Sequence, residues 1–586
     1  MTHLNSETPD LLALLRQYWN HNSFRPRQEE IIRSVLSGKD TLALLPTGGG
    51  KSVCFQVPAM ARPGLCLVVS PLIALMKDQT DSLRRKNITA FSLHSGMNRK
   101  EVINTLQLAA DSNCKFLYVS PERLETGLFG DYLPALNINL VAVDEAHCVS
   151  QWGYDFRPPY LRIAALREVL PKVPILALTA SATPAVLDDI GEKLKMQDPA
   201  VFRLPFTRAN LSYSVFTVNN KQQKIAEILS KVPGSAIVYC KTRKASRDIS
   251  EGLIRQGIPA AAYHAGLSRD ERAQRQEDWL KDRVRVIVST NAFGMGIDKA
   301  AVRAVIHADP PESIENYYQE SGRAGRDGQK AYAVLLAAEG EPARLEAMPD
   351  ARFPALDKIR PVYQQMMNYL QLPAGSGEGN YYDFDLLQFT DRFDLEMPAV
   401  MNVLKVLEQE GMFAFQQQVF LAAKARFITG KETLYDFEKD HPELEALIHA
   451  LLRTYEGIFD QPVPIREGWL ARQLRKPPQQ IAADLSLLHT FRIIEYTPVK
   501  ESPQLYFFRD RVAAEELYIE PVNYRERKEV YAIRIRAMIR YIGLNSECRS
   551  RFLAHYFGDK DAVDCGICDN CLQEARRKES PAQRRR

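Results

Sequence analysis

No run of apolar residues in this sequence approaches the ~18 that a helix needs to cross a bilayer. Ser and Pro interrupt each apolar stretch well before that length. A spanning helix is therefore not expected. Nor is a secretory leader, because MTHLNSETPDLLALLRQYWN lacks a basic segment followed by an apolar core. A strong charge of one sign is also missing: 76 Lys and Arg stand against 72 Asp and Glu, a formal net charge of +4. No global field draws in polyanions, so any grip on nucleic acid must come from local patches. Cysteine is sparse, nine in 586 residues, and Cys54, Cys66, Cys114, Cys148 and Cys240 are scattered among apolar neighbours in the manner of buried reduced thiols. The expectation is a soluble, cytoplasmic protein with no membrane partner. Its length and 45% hydrophobic content divide into roughly four domains.

What is present is a regular alternation. Over the first 340 residues, short apolar runs are each followed by an amphipathic stretch. TLALLP (41–46), LCLVVSP (65–71), FLYVSP (116–121), LVAVDE (140–145) and ILALTA (175–180) read as strands buried on both faces, the pattern of a parallel sheet wrapped by helices. A second series follows: SAIVYC (235–240), AAAYHA (260–265), RVIVST (285–290), AVIHAD (304–309) and AYAVLLA (331–337). Two α/β domains in tandem are expected.

The first strand runs into TGGGKS (47–52), with Gly48, Gly49 and Gly50 before Lys51 and Ser52. Glycines let backbone N–H groups approach phosphates, Lys51 reaches the β and γ phosphates, and Ser52 binds Mg²⁺. The strict phosphate-loop pattern has Gly where this chain has Leu45, so a ligand-less glycine turn stays open. Asp144 and Glu145 end another buried strand, as a metal-coordinating aspartate and a water-activating glutamate do in an ATPase. The alternative is a simple acidic pair at a helix start.

The ordered motifs FRPRQ (24–28), TGGGKS, SPLIALMKDQ (70–79), DEAHCVSQWGYDFRP (144–158), LTASAT (178–183), YHAGLS (263–268), TNAFGMGIDK (290–299) and YYQESGRAGRDG (317–328) resemble those of the RecQ family of superfamily 2 DNA helicases. The resemblance implies two RecA-like lobes, 1–205 and 206–342. It implies ATP and Mg²⁺ as cofactors, single-stranded and duplex DNA as partners, 3′-to-5′ translocation with unwinding, and a place in DNA repair and recombination alongside repair or single-strand-binding proteins. By the same resemblance Arg25 and Gln28 face adenine and Thr47 joins the phosphate loop; relatives commonly carry an aromatic residue three before Phe24, where this chain has His21, so ring stacking on adenine by His21 is weaker and pH-sensitive, and a surface histidine is the alternative. Gln319, Arg323 and Arg326 reach the γ phosphate across the interlobe cleft, Arg326 as arginine finger. The aromatic-rich segment after DEAH couples hydrolysis to DNA: Trp152 and Phe156 stack on bases and Arg157 meets a phosphate. A core-filling role for the aromatics, chiefly Tyr154 and Tyr160, is the alternative. An ATP-switched DNA-binding protein, a translocase without unwinding activity and an RNA helicase are the competing functions.

The C-terminal third departs from the family's usual order. Cys548, Cys565, Cys568 and Cys571, spaced C-x16-C-x2-C-x2-C, lie more than two hundred residues beyond GRAGRDG, whereas most relatives carry a zinc subdomain directly after the second lobe. Four thiolates suit tetrahedral Zn²⁺, with an iron–sulfur cluster as the competing metal. Between lobes and cysteines, Phe389, Phe393, Val400, Leu404, Leu407, Phe413 and Phe415 recur at an offset of 81 as Leu470, Leu474, Ile481, Leu485, Leu488, Ile494 and Tyr496. After a linker (343–380), two winged-helix-like α+β units are expected at 381–435 and 436–515, then a helical zinc subdomain at 516–575 and a basic tail at 576–586. PAVMNVLKVLEQEGMF (398–413) offers few bases to DNA, RQLRKPPQQ (472–480) offers more, and PVKESPQLYFF (498–508) is the candidate strand-splitting hairpin.

Overall fold

The structure is a computed structural model that describes residues 10–46, 48–94, 97, 99–294, 299–416, 423–498 and 503–583. The chain divides into two compact units, one of Met1–Tyr363, Pro398–Gly411 and Ala514–Arg586, the other of Gln364–Met397 and Met412–Ala513.

The first unit holds two parallel sheets. One has seven strands in the order Ala90–Leu93, Phe116–Val119, Leu65–Val69, Ile138–Val143, Ile175–Thr179, Thr41–Leu44, Ala200–Arg203. Leu65, Leu67 and Val69 enter one apolar cluster while Cys66 and Val68 enter another. Successive strand residues point to opposite faces, and helices cover both, so such strands read as unbroken apolar runs. The second sheet has six strands in the order Ala260–Tyr263, Val286–Ser289, Ser235–Tyr239, Val302–His307, Ala331–Ala337, Leu211–Thr217, again all parallel. These are the two expected RecA-like lobes. Three strands escaped the sequence reading: Ala90–Leu93 and Ala200–Arg203 at the edges of the first sheet, and Leu211–Thr217 at an edge of the second. Each is partly exposed, so none forms a wholly apolar run.

In the first sheet Thr41–Leu44 and Ile138–Val143 flank Ile175–Thr179. The glycine turn and the Asp144–Glu145 pair therefore emerge at the same carboxyl edge, about 10 Å apart at two strand spacings. A crevice at that edge is where open α/β sheets bind ligands.

The cysteine-bearing segment, though far along the chain, packs on the second lobe. It contains the 22-residue helix Pro521–Ile542 and the helix Arg549–Tyr556. Met538, Tyr541, Phe552, Leu553 and Phe557 share one core cluster with lobe residues. The Phe557 ring stacks on Phe206 at 4.5 Å, and Asp569 accepts a 2.9 Å hydrogen bond from the Val215 amide of strand Leu211–Thr217. The helix Met397–Gln409, from residue 398 onward, belongs to this unit as well. Asn402 donates to the Ala351 carbonyl at 2.8 Å, and just beyond the helix Glu410 pairs with Arg527, which docks this helix on its neighbours.

The second unit carries two three-stranded antiparallel sheets and corrects the expected boundary at 435/436. Tyr381–Asp383 and Phe413–Gln416 pair with Gln504–Phe507 between them, while Val463–Pro464 and Ile494–Thr497 pair with Lys424–Phe427 between them. Each copy of the repeat thus takes its central strand from beyond its expected limits. The cause is packing: Ala423, Ala425 and Phe427 bury against Leu444, Leu447, Leu470 and Leu485, whereas Phe507 meets Phe413 at 5.5 Å and Tyr382 at 5.4 Å. It follows that 498–508 forms no hairpin with the preceding strand, since Ile494–Thr497 and Gln504–Phe507 lie in different sheets. Residues 499–502 of that stretch lie outside the described residues.

Candidate active site

A cavity of about 690 Å³ between the two lobes is lined by His21, Arg25, Gln28, Gly48, Gly50, Lys51, Ser52, Asp144, Glu145, Gln319, Arg323 and Arg326. These come from four separate stretches of sequence, and all were candidates from the motifs. Gly49 lies in the same turn, its amide donating to the Pro46 carbonyl at 2.8 Å. Thr47 and residues 295–298 of TNAFGMGIDK lie outside the described residues. The wall also includes Trp19, Lys86, Gln56 and Tyr118, which no motif singled out. Trp19 supplies an aromatic face near His21, where relatives of the family carry an aromatic residue.

The glycine turn ends where the helix Lys51–Met60 begins. Gly48 and Gly50 adopt φ of +84° and +78°, which side chains disfavour. A Cβ on Gly48 would lie 3.2 Å from the Arg326 side chain, and one on Gly50 would lie 2.3 Å from Gln28 Nε2. Gln28 donates to the carbonyls of Gly49 and Gly50 at 3.2 and 3.1 Å and accepts from the Arg25 amide at 2.9 Å. Arg25 in turn donates to the Gly48 carbonyl. Both ends of the Gln28 amide are thus engaged within the chain, and reading adenine requires these bonds to be exchanged.

Lys51 Nζ lies 3.0 Å from Glu145 Oε1. Burial works against the ammonium, but the carboxylates of Glu145 and Asp144 outweigh it and hold Lys51 above its ordinary pKa. Burial likewise opposes the Glu145 carboxylate, and Lys51 with His147 outweighs it, leaving Glu145 below the usual range. Partial burial, with the Glu145 carboxylate beside it, pushes Asp144 up to about 6 despite Lys51. The Asp144 carboxylate and the Ser52 hydroxyl line the same cavity, a hard-oxygen donor set that fits Mg²⁺. Glu145 also sits at φ +48°, a left-handed conformation that strains a non-glycine residue.

From Glu145 a chain of contacts leads into the aromatic segment. His147 Nδ1 lies 3.5 Å from Glu145 Oε2 and 3.0 Å from the Thr179 hydroxyl. Its ring stacks on Tyr154 at 4.5 Å and 20°, and the Tyr154 hydroxyl donates to Gln319 Oε1 at 3.1 Å. Neither His147 nor Tyr154 was a candidate site residue. The only signal in the sequence is their place between the acidic pair and the flanking aromatics. Gly153 is required here, because a Cβ would lie 2.2 Å from the His147 carbonyl oxygen. Trp152 and Phe156 are half-buried, and Tyr160 is buried with its hydroxyl donating to the Asp144 carbonyl at 3.1 Å, so Tyr160 packs. The Arg157 guanidinium, the expected phosphate contact, donates within the chain to Asp155 at 3.0 and 3.2 Å and to the Pro71 carbonyl at 3.2 Å, so meeting a phosphate requires these bonds to be exchanged.

The four candidate metal-binding cysteines converge: the sulfurs of Cys548, Cys565, Cys568 and Cys571 lie within 4.8 Å of one another. Zn–S bonds of ~2.3 Å set tetrahedral sulfurs ~3.8 Å apart, and the pairs Cys548–Cys565 and Cys548–Cys568 stand at 3.5 and 3.9 Å. Asn570 braces the site by donating to the Glu547 carbonyl at 2.8 Å. Among the described residues no helix is long and apolar enough to cross a membrane.

Comparison with known proteins gives four family matches along the chain. They are the DEAD/DEAH box helicase family at 25–190, the helicase conserved C-terminal domain at 220–328, the RecQ helicase winged-helix domain of Bacteroidota at 425–498 and the RecQ zinc-binding family at 508–572. The winged-helix match opens within the strand Lys424–Phe427, in agreement with that strand's place in the second sheet. The zinc-binding match covers the four cysteines up to Cys571, which decides for zinc over an iron–sulfur cluster. The chain is 44% identical over 326 residues to the ATP-dependent DNA helicase RecQ of Pasteurella multocida, covering 56% of this chain and 52% of that protein. It is 45% identical over 327 residues to the RecQ of Bacillus subtilis, covering 55% of each. With the probable ATP-dependent DNA helicase RecS of Bacillus subtilis it shares 41% over 337 residues, 56% of this chain and 67% of that protein. The chain thus spans about half the length of the first two of these relatives.

Proposed function

Because the chain belongs to the RecQ helicase family, we propose that it uses ATP hydrolysis to move 3′ to 5′ along single-stranded DNA and to unwind duplex DNA in repair and recombination. The observation that carries this reading is the cavity in which Lys51, Asp144 and Glu145 of one lobe face Gln319, Arg323 and Arg326 of the other. A complete set of charge-stabilising groups across a closable cleft is what a two-lobe motor needs, whereas a switch that only binds ATP needs fewer of them.

Lys51 and Glu145 neutralise each other across 3.0 Å, a resting pair in which neither group does chemistry. The β and γ phosphates carry more negative charge than one carboxylate, so ATP draws Lys51 away. Glu145, released, becomes the base that takes a proton from the attacking water. Arg326, whose side chain lies over the glycine turn, stabilises charge on the transferred phosphoryl group. Magnesium held by Ser52 and Asp144 supplies neutralisation of the phosphate oxygens when bound. Gln319, tied to Tyr154, connects that event to the segment whose Trp152 and Phe156 stack on bases at ~1–3 kcal/mol each. The zinc cluster anchors the C-terminal segment to the second lobe. Thiol ligands of this kind persist in a reducing cytoplasm, where the proposal places the protein.

Strand displacement on forked, 3′-tailed and 5′-tailed duplexes with ATP tests the proposal. Separation of forked and 3′-tailed substrates supports it. A DNA-stimulated ATPase that separates none of the three is a translocase or an ATP-switched binder instead.

A further inference from the structure

Glu315 and Gln319 lie four residues apart on the helix Ile314–Ser321, on one face of it. Gln319 accepts the hydrogen bond of Tyr154. Glu315, buried, faces Arg534 of the helix Pro521–Ile542 at 3.3 Å. Arg534, itself 9% exposed, donates to the backbone carbonyl of Trp152. The aromatic segment is therefore held to one helix of the second lobe at two points two residues apart, by Tyr154 directly and by Trp152 through Arg534. The second clamp comes from the cysteine-bearing segment. Tyr556 of that segment also donates to Glu315, at 2.9 Å, and Tyr531 donates to Glu312 at 2.9 Å just before the same helix. The planar guanidinium suits this task, because it presents donors in several directions at once to a carboxylate and a carbonyl.

We infer that Arg534 is a positioning residue for DNA-stimulated hydrolysis, fixing the backbone at Trp152 against the helix that carries Gln319, so that a base stacked on the segment is felt at the ATP cavity. The inference rests on the reading of the aromatic segment as the DNA sensor. Arg534 touches neither ATP nor the reacting water; it sets how faithfully movement of the segment reaches Gln319. Arg534 replaced alone by a neutral residue leaves Glu315 as an uncompensated buried carboxylate, which threatens the fold. The informative variant therefore neutralises both partners.

The test compares wild type, Trp152→Ala, Arg534→Lys and the double variant Arg534→Met with Glu315→Gln. Bound zinc, ATPase without DNA, KM for ATP and single-strand affinity by fluorescence anisotropy are measured for each. In the double variant these four stay within about twofold of wild type while maximal DNA stimulation falls about tenfold, the factor set by ~1.4 kcal/mol of lost coupling. Arg534→Lys, which retains the buried charge pair but presents a compact ammonium, recovers part of the stimulation and decides the matter if the double variant loses zinc. Full stimulation in both Arg534 variants overturns the inference, as does a parallel fall of basal and stimulated rates. If Trp152→Ala loses stimulation while the Arg534 variants keep it, only the role of Arg534 fails. Full stimulation in Trp152→Ala removes the underlying reading as well.

Discussion

The hydroxyl of Tyr154 donates a 3.1 Å hydrogen bond to Oε1 of Gln319, joining the segment that follows the acidic pair of one lobe to the cleft-facing helix of the other. The partners are 165 residues apart in sequence, and both belong to stretches implicated in opposite tasks, DNA contact and phosphate chemistry. One bond therefore spans the two halves of the proposed cycle.

Tyr154→Phe removes that hydroxyl with little change of shape. A neutral hydrogen bond is worth ~0.5–1.5 kcal/mol net, or about two- to tenfold in an equilibrium. DNA stimulation of ATPase should fall by a factor in that range, while the rate without DNA changes little. Steady-state ATPase titrated with single-stranded DNA reads this directly, and unaltered stimulation would show the bond to be incidental.

The Lys51–Glu145 pair predicts opposite effects on binding and turnover. Lys51→Ala should lose at least ~10²-fold in turnover, the scale of removing one preorganised charge from a phosphoryl-transfer site. Glu145→Gln should turn over ~10²–10⁴-fold more slowly, because an amide cannot accept the water's proton. ATP should nonetheless bind it more tightly than wild type, since Lys51 no longer has a carboxylate to leave. Equilibrium binding of a fluorescent ATP analogue checks the second effect, and weaker binding would mean the pair is not what ATP displaces.

Most of the lobes was legible in the sequence because the physics there is local. Strands covered on both faces must be apolar throughout, and a phosphate loop must have glycine where φ turns positive, as at Gly48 and Gly50. The part that was not legible depends on encounters between distant segments. Nothing near Arg157 signals that Pro71 accepts one of its hydrogen bonds. Nothing near Lys424 signals that its strand pairs with Ile494–Thr497 rather than with the strand before it. The 81-residue offset identified the helices of the repeat, since their buried positions carry the period. Strand exchange leaves that period intact and so escapes it.

That exchange has its own consequence. The residues Ala423 to Tyr496 form one apolar cluster and contain all three strands of their sheet. A fragment of residues 424–498 should therefore unfold cooperatively in urea, whereas 436–515, lacking the central strand, should not. In the whole chain, Phe427→Ala removes a ring that meets Phe459 at 5.0 Å and should cost ~3–5 kcal/mol in the stability of that unit. Cooperative unfolding of 436–515 would contradict the strand assignment.

Metal removal should be felt beyond the cysteines. One zinc per chain is expected by elemental analysis. Because Phe557 stacks on Phe206 and Asp569 caps the Val215 amide, Cys568→Ala or a strong chelator should lower the melting temperature of the second lobe together with that of the C-terminal segment. Differential scanning calorimetry distinguishes this from the loss of a small separate transition, which would mean that the segment folds independently of the lobe.

The central claim is that residues 146–157 carry the state of DNA to the ATP cavity, and the most direct measurement is ATPase against single-stranded DNA concentration for Trp152→Ala and Phe156→Ala. Basal rates near wild type with stimulation reduced severalfold are expected in each variant, because the base-stacking rings are lost while Lys51, Glu145 and Arg326 remain. Wild-type stimulation in both variants would contradict it and assign the two rings to packing alone.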